Sequence, residues 1–264
     1  MDLDRISTCT YPLRERPAAE AMGVMADCGF RKIDLWGRPP HFSADPAEVD
    51  PGALEAAAQA AGVRIANLGS YPGADFASES EEERAAALDE MKATVDLAVR
   101  FGARSMRVRP GTGEDPAILD RIVPPFVESA AYAEHRGIYL GMENHGGSIA
   151  GLPEACVELC ERVGSPYFGI LYEPCNLLHA GVDYQGVFGR FAPWIVHIHV
   201  KDGRLTDDGF QRTHLGEGDI DYRWVVDAMT RIGYDGDYAL EYEICDLEPI
   251  ETGLPRWLDY FLGL

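Results

Sequence analysis

Positive charge is scarce in this chain. Across 264 residues, 23 lysines and arginines face 44 aspartates and glutamates, a formal net charge of −21 at pH 7. A field of that sign repels polyanions, which argues against nucleic acid and anionic membrane surfaces as partners. No apolar run approaches the roughly 18 residues needed to span a bilayer, so no membrane partner is expected. The six cysteines (Cys9, Cys28, Cys156, Cys160, Cys175, Cys245) contain no C-x-x-C pair. The opening Met-Asp-Leu-Asp-Arg-Ile lacks the basic and apolar segments of a secretory signal. The expectation is reduced, mostly packed thiols in a cytoplasmic protein. Cys156 and Cys160 stand one helical turn apart; that spacing is open to a metal, but the reading taken is the core face of a helix. There is no low-complexity stretch and no linker, so residues 1–264 are expected to form a single domain.

What is present is a loose repeat. Gly29, Gly62, Gly102, Gly137, Gly164 and Gly233 each follow an alanine-rich or amphipathic stretch and precede a short apolar run. Glycine accepts the left-handed conformation that closes a helix, so each marks a helix-to-strand junction. The spacing is that of a βα unit. Strands are expected at 6–9, 32–36, 64–68, 105–109, 138–143, 167–173, 195–201 and 238–243. Helices are expected at 17–28, 51–61, 80–101, 116–136, 152–163, 184–191, 221–232 and 252–262. Alternation of this kind gives a parallel sheet, and eight units fit a single (β/α)8 barrel. The competing open, doubly wound sheet would want a glycine-rich phosphate loop after the first strand. Here Cys9-Thr10-Tyr11-Pro12 follows instead.

In a barrel, chemistry sits at the carboxyl ends of the strands. The fifth strand ends at Glu143, followed by Asn144-His145-Gly146-Gly147. The sixth ends at Glu173, the seventh offers His197, His199 and Lys201, and the eighth offers Glu241 and Glu243. Period-two geometry puts His197, His199 and Lys201 on one face, with Val196, Ile198 and Val200 directed to the helices. A lone glutamate at a strand end is ordinarily solvated or ion-paired. Three carboxylates and an imidazole converging from consecutive units repel one another unless a cation lies between them. An oxygen-rich set of this kind suits Mn²⁺, Mg²⁺ or Co²⁺, with Zn²⁺ a further candidate. His197 is read as a hydrogen-bonded residue behind the site.

The stretches Met-Glu-Asn-His-Gly-Gly at 142–147, His-Ile-His-Val-Lys-Asp-Gly at 197–203, His-Leu-Gly-Glu-Gly-Asp-Ile-Asp at 214–221 and Ala-Leu-Glu-Tyr-Glu at 239–243 resemble the xylose-isomerase-like barrel superfamily. That group comprises sugar-phosphate isomerases and epimerases and includes endonuclease IV. The resemblance implies one divalent metal, Mn²⁺ foremost, held by Glu143, Glu173, His199 and Glu241. One departure is visible: relatives usually carry aspartate where this chain has Glu173.

The resemblance further implies an isomerase or epimerase that acts on a keto sugar or related polyol through a metal-stabilised enediolate. Glu143 and Glu241 would exchange protons on opposite faces of the substrate, with His145 an alternative base and Lys201 a stabiliser of the oxyanion. Trp36, Arg107, Arg109 and Asn176 are the candidate substrate contacts, the two arginines suiting an anionic substrate or simply pairing with the many acids. A lyase shares the first half of this chemistry: dehydration of a keto-inositol or of 3-dehydroshikimate, or β-elimination from a 3-oxo-glycoside. Phosphodiester cleavage in the manner of endonuclease IV would want more than the seven histidines present. A barrel retained as a non-catalytic subunit is the remaining alternative. The expected partners are a small carbohydrate-like substrate and, in a homo-oligomer, further copies of the chain.

Overall fold

A computed structural model describes residues 1–264. In chain order the elements are β1 (Ile6–Cys9), α1 (Ala18–Asp27), β2 (Lys32–Trp36), α2 (Pro51–Ala61), β3 (Arg64–Gly69), α3 (Glu81–Phe101) and β4 (Ser105–Val108). Then come α4 (Leu119–Glu134), β5 (Tyr139–Glu143), α5 (Pro153–Val163), β6 (Phe168–Tyr172), α6 (Pro174–His179), α7 (Tyr184–Phe191) and β7 (Ile195–Val200). The chain finishes with β8 (Asp202–Thr206), β9 (Gly209–Thr213), α8 (Tyr222–Arg231), β10 (Tyr238–Leu240) and α9 (Ile250–Leu262). Eight parallel strands close in the order β1-β10-β7-β6-β5-β4-β3-β2, and β8 and β9 form a separate antiparallel pair. This is a (β/α)8 barrel. All six glycines expected to end helices have positive φ. Helix starts follow from local chemistry as well. Asp50 accepts from Gly52 N–H ahead of Pro51, and Ser80 accepts from Glu83 N–H ahead of an acidic first turn.

The apolar core lies between the strands and the surrounding helices, with Ile33, Leu35, Met106, Ile198 and Val200 fully or almost fully buried in it. The barrel interior is different, because polar side chains fill its middle. Ser105 Oγ donates to Asn67 Oδ1 (2.8 Å). Asn67 Nδ2 donates to Asp34 Oδ2 (3.0 Å), and Ser7 Oγ to Asp34 Oδ1 (2.7 Å). His197 Nε2 completes the ring against Asp34 Oδ2 at 2.6 Å. A buried carboxylate that accepts from several donors is far less costly than an isolated one.

Three features depart from the expected pattern. The ladder between β6 and β7 shifts register between Ile170 and Leu171. This bulge turns Val196 inward, not toward the helices with Ile198 and Val200. There it covers the paired glycines Gly141 and Gly169. Glu173 is not the last residue of the sixth strand but the N-cap of α6, a helix the sequence reading did not include. The β8–β9 hairpin was also unforeseen, although Asp208-Gly209 is a hairpin turn signal.

The hairpin explains the 214–221 motif. Asp202 accepts from the backbone N–H of Gly203 (2.8 Å), Gly216 (2.9 Å), Gly218 (3.1 Å) and Ile220 (3.2 Å). A Cβ on Gly218 would collide with the Asp202 carboxylate. The motif thus wraps a loop around one buried acid beside the end of β7.

The glycine pair under Val196 gives a test of the barrel floor. A Cβ on Gly169 would run into the Trp194 carbonyl and lie 2.8 Å from Val196 Cγ1. Gly169→Ala should cost about 1–3 kcal/mol by overpacking and lower Tm by several degrees, measured by thermal unfolding.

Candidate active site

The carboxyl ends of the strands surround a cavity of ≈ 370 Å³, the size of a small-molecule site. At its floor, ligand atoms of Glu143, His199 and Glu241 all lie within 4.8 Å of one another. Each residue is at least 94% buried. His199 Nδ1 is 3.3 Å from Glu143 Oε1 and 3.8 Å from Glu241 Oε2, yet it makes no hydrogen bond. The other ring nitrogen faces Asp34 Oδ2 at 3.5 Å and Cys9 Sγ at 3.8 Å. With its proton on that side, Nδ1 offers its lone pair to the two glutamates' side, the tautomer a metal ligand requires. An orphaned buried nitrogen aimed between two carboxylates fits a divalent cation.

A few cations serve all of the acids. Arg107, from β4, donates to Glu143 Oε2, and Asn176 Nδ2 donates to Oε1 at 3.3 Å. Burial alone would raise the Glu143 carboxyl; Arg107, with His199 and Lys201, holds it well below the usual carboxylate range. Lys201 follows β7, and its backbone is pinned by the Tyr222 hydroxyl. Its Nζ lies 2.6 Å from Glu241 Oε2, 3.1 Å from Glu243 Oε2 and 3.2 Å from Glu173 Oε2. Burial would depress this amine, but the glutamates keep it well above its usual range. Arg212 of the hairpin adds a second cation to Glu243 at 2.8 Å.

Glu173 stands apart from the other expected ligands. Its Oε1 accepts from Cys175 N–H (2.9 Å), and its Oε2 faces Lys201 without forming a hydrogen bond. Burial, reinforced by Glu241 and Glu143 and only partly opposed by Lys201, pushes its carboxyl up to about 8. Asn144 fastens this corner, donating to Glu173 O (2.7 Å) and accepting from Glu173 N–H (2.8 Å).

The remaining expected residues divide. Trp36, Arg107, Arg109 and His145 line the cavity. Asn176, expected against substrate, is not on that wall and serves Glu143 instead. Trp36 is held by its N–H to Thr10 Oγ1 (2.9 Å) and its indole N–H to Tyr71 OH (3.2 Å). Thr10 in turn donates to His41 Nδ1 (2.9 Å), whose Nε2–H reaches the carbonyls of Leu13 and Arg16. That chain ties the 36–50 loop to the β1 side of the rim. Cys9, Tyr11, Asp34 and Tyr71 also line the cavity and were not anticipated. For Asp34 a signal existed, since Lys32, Asp34 and Trp36 alternate with Ile33 and Leu35.

Burial opposes a charge on His199, but Cys9, Glu241 and Asp34 raise it well above 6.5. The proton must leave before Nδ1 can ligate. Mn²⁺ affinity should therefore increase with pH at and above 6.5, by about tenfold per unit for each proton displaced, with proton release on binding seen by calorimetry in two buffers. In the same assay His199→Asn and Glu241→Gln should abolish binding, whereas Glu173→Gln should shift it by less than about tenfold.

The sequence model of the family described as Xylose isomerase-like TIM barrel matches residues 23–260. A putative hydroxypyruvate isomerase of Streptomyces coelicolor is 29% identical over 258 residues, spanning 88% of this chain and 86% of that protein. An uncharacterized protein of Methanocaldococcus jannaschii is 26% identical over 176 residues, 62% of this chain and 59% of its own length. Among solved structures, a xylose isomerase-like TIM barrel protein from Mycobacterium smegmatis in complex with magnesium superposes with a TM-score of 0.81. It is 18% identical, covering 98% of this chain and 95% of that one. With the family's pattern running through nearly the whole barrel, the chain belongs to the xylose isomerase-like TIM barrel family.

Proposed function

We propose that this chain is a divalent-metal-dependent isomerase or epimerase of a keto sugar or related polyol. The observation that carries the reading is the convergence of Glu143, His199 and Glu241 on the floor of a sugar-sized cavity. These three residues would hold the ion, with Mn²⁺ favoured and Mg²⁺, Co²⁺ and Zn²⁺ also suited. When bound, it supplies Lewis acidity toward a substrate carbonyl.

The two glutamates are not equivalent as bases. Glu143 has both oxygens engaged, by Arg107 and by Asn176, and its lowered pKa makes it a poor acceptor of a carbon-bound proton. Glu241 is gripped through Oε2 only, and its side chain lines the cavity. Glu241 is therefore the carboxylate assigned to take a proton from the carbon beside the carbonyl; returning it to the neighbouring carbon on the same face gives isomerisation, whereas epimerisation would need a second group to deliver a proton to the opposite face. Lys201 holds Glu241 in place and brings a positive charge near the substrate oxygen where negative charge develops. Trp36 offers an apolar face to the sugar ring.

His145 favours a second reading. Its Nδ1–H donates to Gly146 O (2.8 Å), which leaves Nε2 with a free lone pair on the cavity wall. No cation restrains it. A base on that side also suits a lyase, in which the enolate expels a β-substituent instead of being reprotonated.

The test uses Mn²⁺-loaded protein in D₂O with D-tagatose, hydroxypyruvate, inosose, a 3-oxo-glycoside and 3-dehydroshikimate, followed by NMR. The expected outcome is deuterium at the carbon beside the carbonyl without loss of a group. Loss of water or aglycone would establish the lyase reading instead, and no exchange on any compound would overturn both. Glu241→Gln removes a ligand and the assigned base together and should slow exchange by at least about 10²–10⁴-fold, measured by the same NMR readout.

A further inference from the structure

We infer that the substrate carries an anionic substituent, a carboxylate or a phosphate, and that Arg109 receives it. This rests on the cavity being the substrate site. The cavity is electrostatically divided. Its β5-to-β10 side carries Glu143, Glu241 and Glu243, and its β2-to-β4 side carries Arg107 and Arg109 together with Trp36 and Tyr71. Of the cations on its wall, Arg107 is spent on Glu143, and Lys201 on Glu173, Glu241 and Glu243. Arg109 is half-buried and pairs with no carboxylate. Of its five N–H donors one is used, Nη2 to Gly147 O at 3.0 Å. Glu114, on the neighbouring loop, is committed to Gly147 N–H at 2.8 Å.

On the same side of the rim a second guanidinium stands against Tyr71. Arg38 is exposed, pairs with no acid, and lies over the Tyr71 ring at 4.5 Å, with Arg107 over the same ring at 4.1 Å. What sets Arg109 apart is its place: it is half-buried on the cavity wall with most of its donors unused. Guanidinium matches the planar, two-oxygen edge of carboxylate and phosphate groups. A keto sugar bound with its carbonyl end toward Glu143, His199 and Glu241 would present its far end to Arg109. An acid or phosphate there would gain a charge-assisted pair; a neutral hydroxymethyl would leave the guanidinium unmatched.

The experiment compares matched ligands on the full Mg²⁺-loaded chain by calorimetry: erythritol against erythronate, and D-xylulose against D-xylulose 5-phosphate. The anionic member of at least one pair should bind at least about tenfold more tightly than its neutral counterpart. Arg109→Gln should erase that preference while changing neutral-ligand affinity less than about twofold, and Arg109→Lys should keep part of it. A preference confined to erythronate identifies a sugar acid, and one confined to the phosphate identifies a sugar phosphate. Equal affinity within both pairs, absence of anion binding at millimolar concentration, or an Arg109→Gln loss shared by neutral and anionic ligands would overturn the proposal. Because the readout is binding, anion capture through Arg109 without proton exchange would sink the isomerase reading and leave this one standing. Exchange on neutral ketoses together with equal affinity within both ligand pairs would do the reverse.

Discussion

Negative charge enclosed at the open end of the barrel is the constraint to which the rest of the site answers. Asp34, Glu143, Glu173, Glu241 and Glu243 are all withdrawn largely or wholly from solvent. Arg107, Lys201 and Arg212 meet them. If all five acids are ionised and the histidines are neutral, the cluster is short by two positive charges, the charge of one divalent ion. Without that ion, protons on His199 and Glu173 make up the difference, which is the direction in which both groups are displaced. An ion held by Glu143, His199 and Glu241 would displace the proton from His199 and relieve the need for the one on Glu173.

The polar ring beneath the site follows from the same demand. Asp34 could not remain ionised in an aliphatic interior. Ser7, Asn67 and His197 each give it a hydrogen bond, and His199 leans on it from above. Burial would raise this carboxyl, but His197 and His199 hold it far below its usual range. The barrel therefore trades some apolar packing for a fixed charge that sets the orientation of His199. The hairpin and the 214–221 loop act at the next radius: Asp202 organises the loop, and Arg212 reaches Glu243.

Much of this was legible in the sequence because the fold is built from repeated local rules. Six helix-ending glycines and the alternation of apolar runs specify a (β/α)8 barrel, and the acids and histidines at strand ends mark its working face. What escaped was non-local. Glu173 reads as a strand end, yet Pro174 immediately after it starts a helix, and the carboxylate is drawn to cap it. Asp34 lies between two apolar residues, and its role depends on partners contributed by β1, β3 and β7. Val196 follows the expected alternation in sequence, but a bulge in the ladder breaks that alternation in space. Arg107 was offered either to substrate or to an acid; only the register of β4 against β5, with Arg107 beside Gly141, put its guanidinium within reach of Glu143.

Val196 seated over Gly141 and Gly169 has one more implication. It fills the layer below Glu143 inside the barrel, and the cavity that holds the acids opens at the carboxyl ends of the strands. In a vessel with one entrance, the deepest occupant has to be first in and last out. An ion held by Glu143, His199 and Glu241 at the cavity floor would lie beneath a sugar bound above it, so a substrate already in place would bar the ion's path, and exchange of the ion would wait on departure of the product.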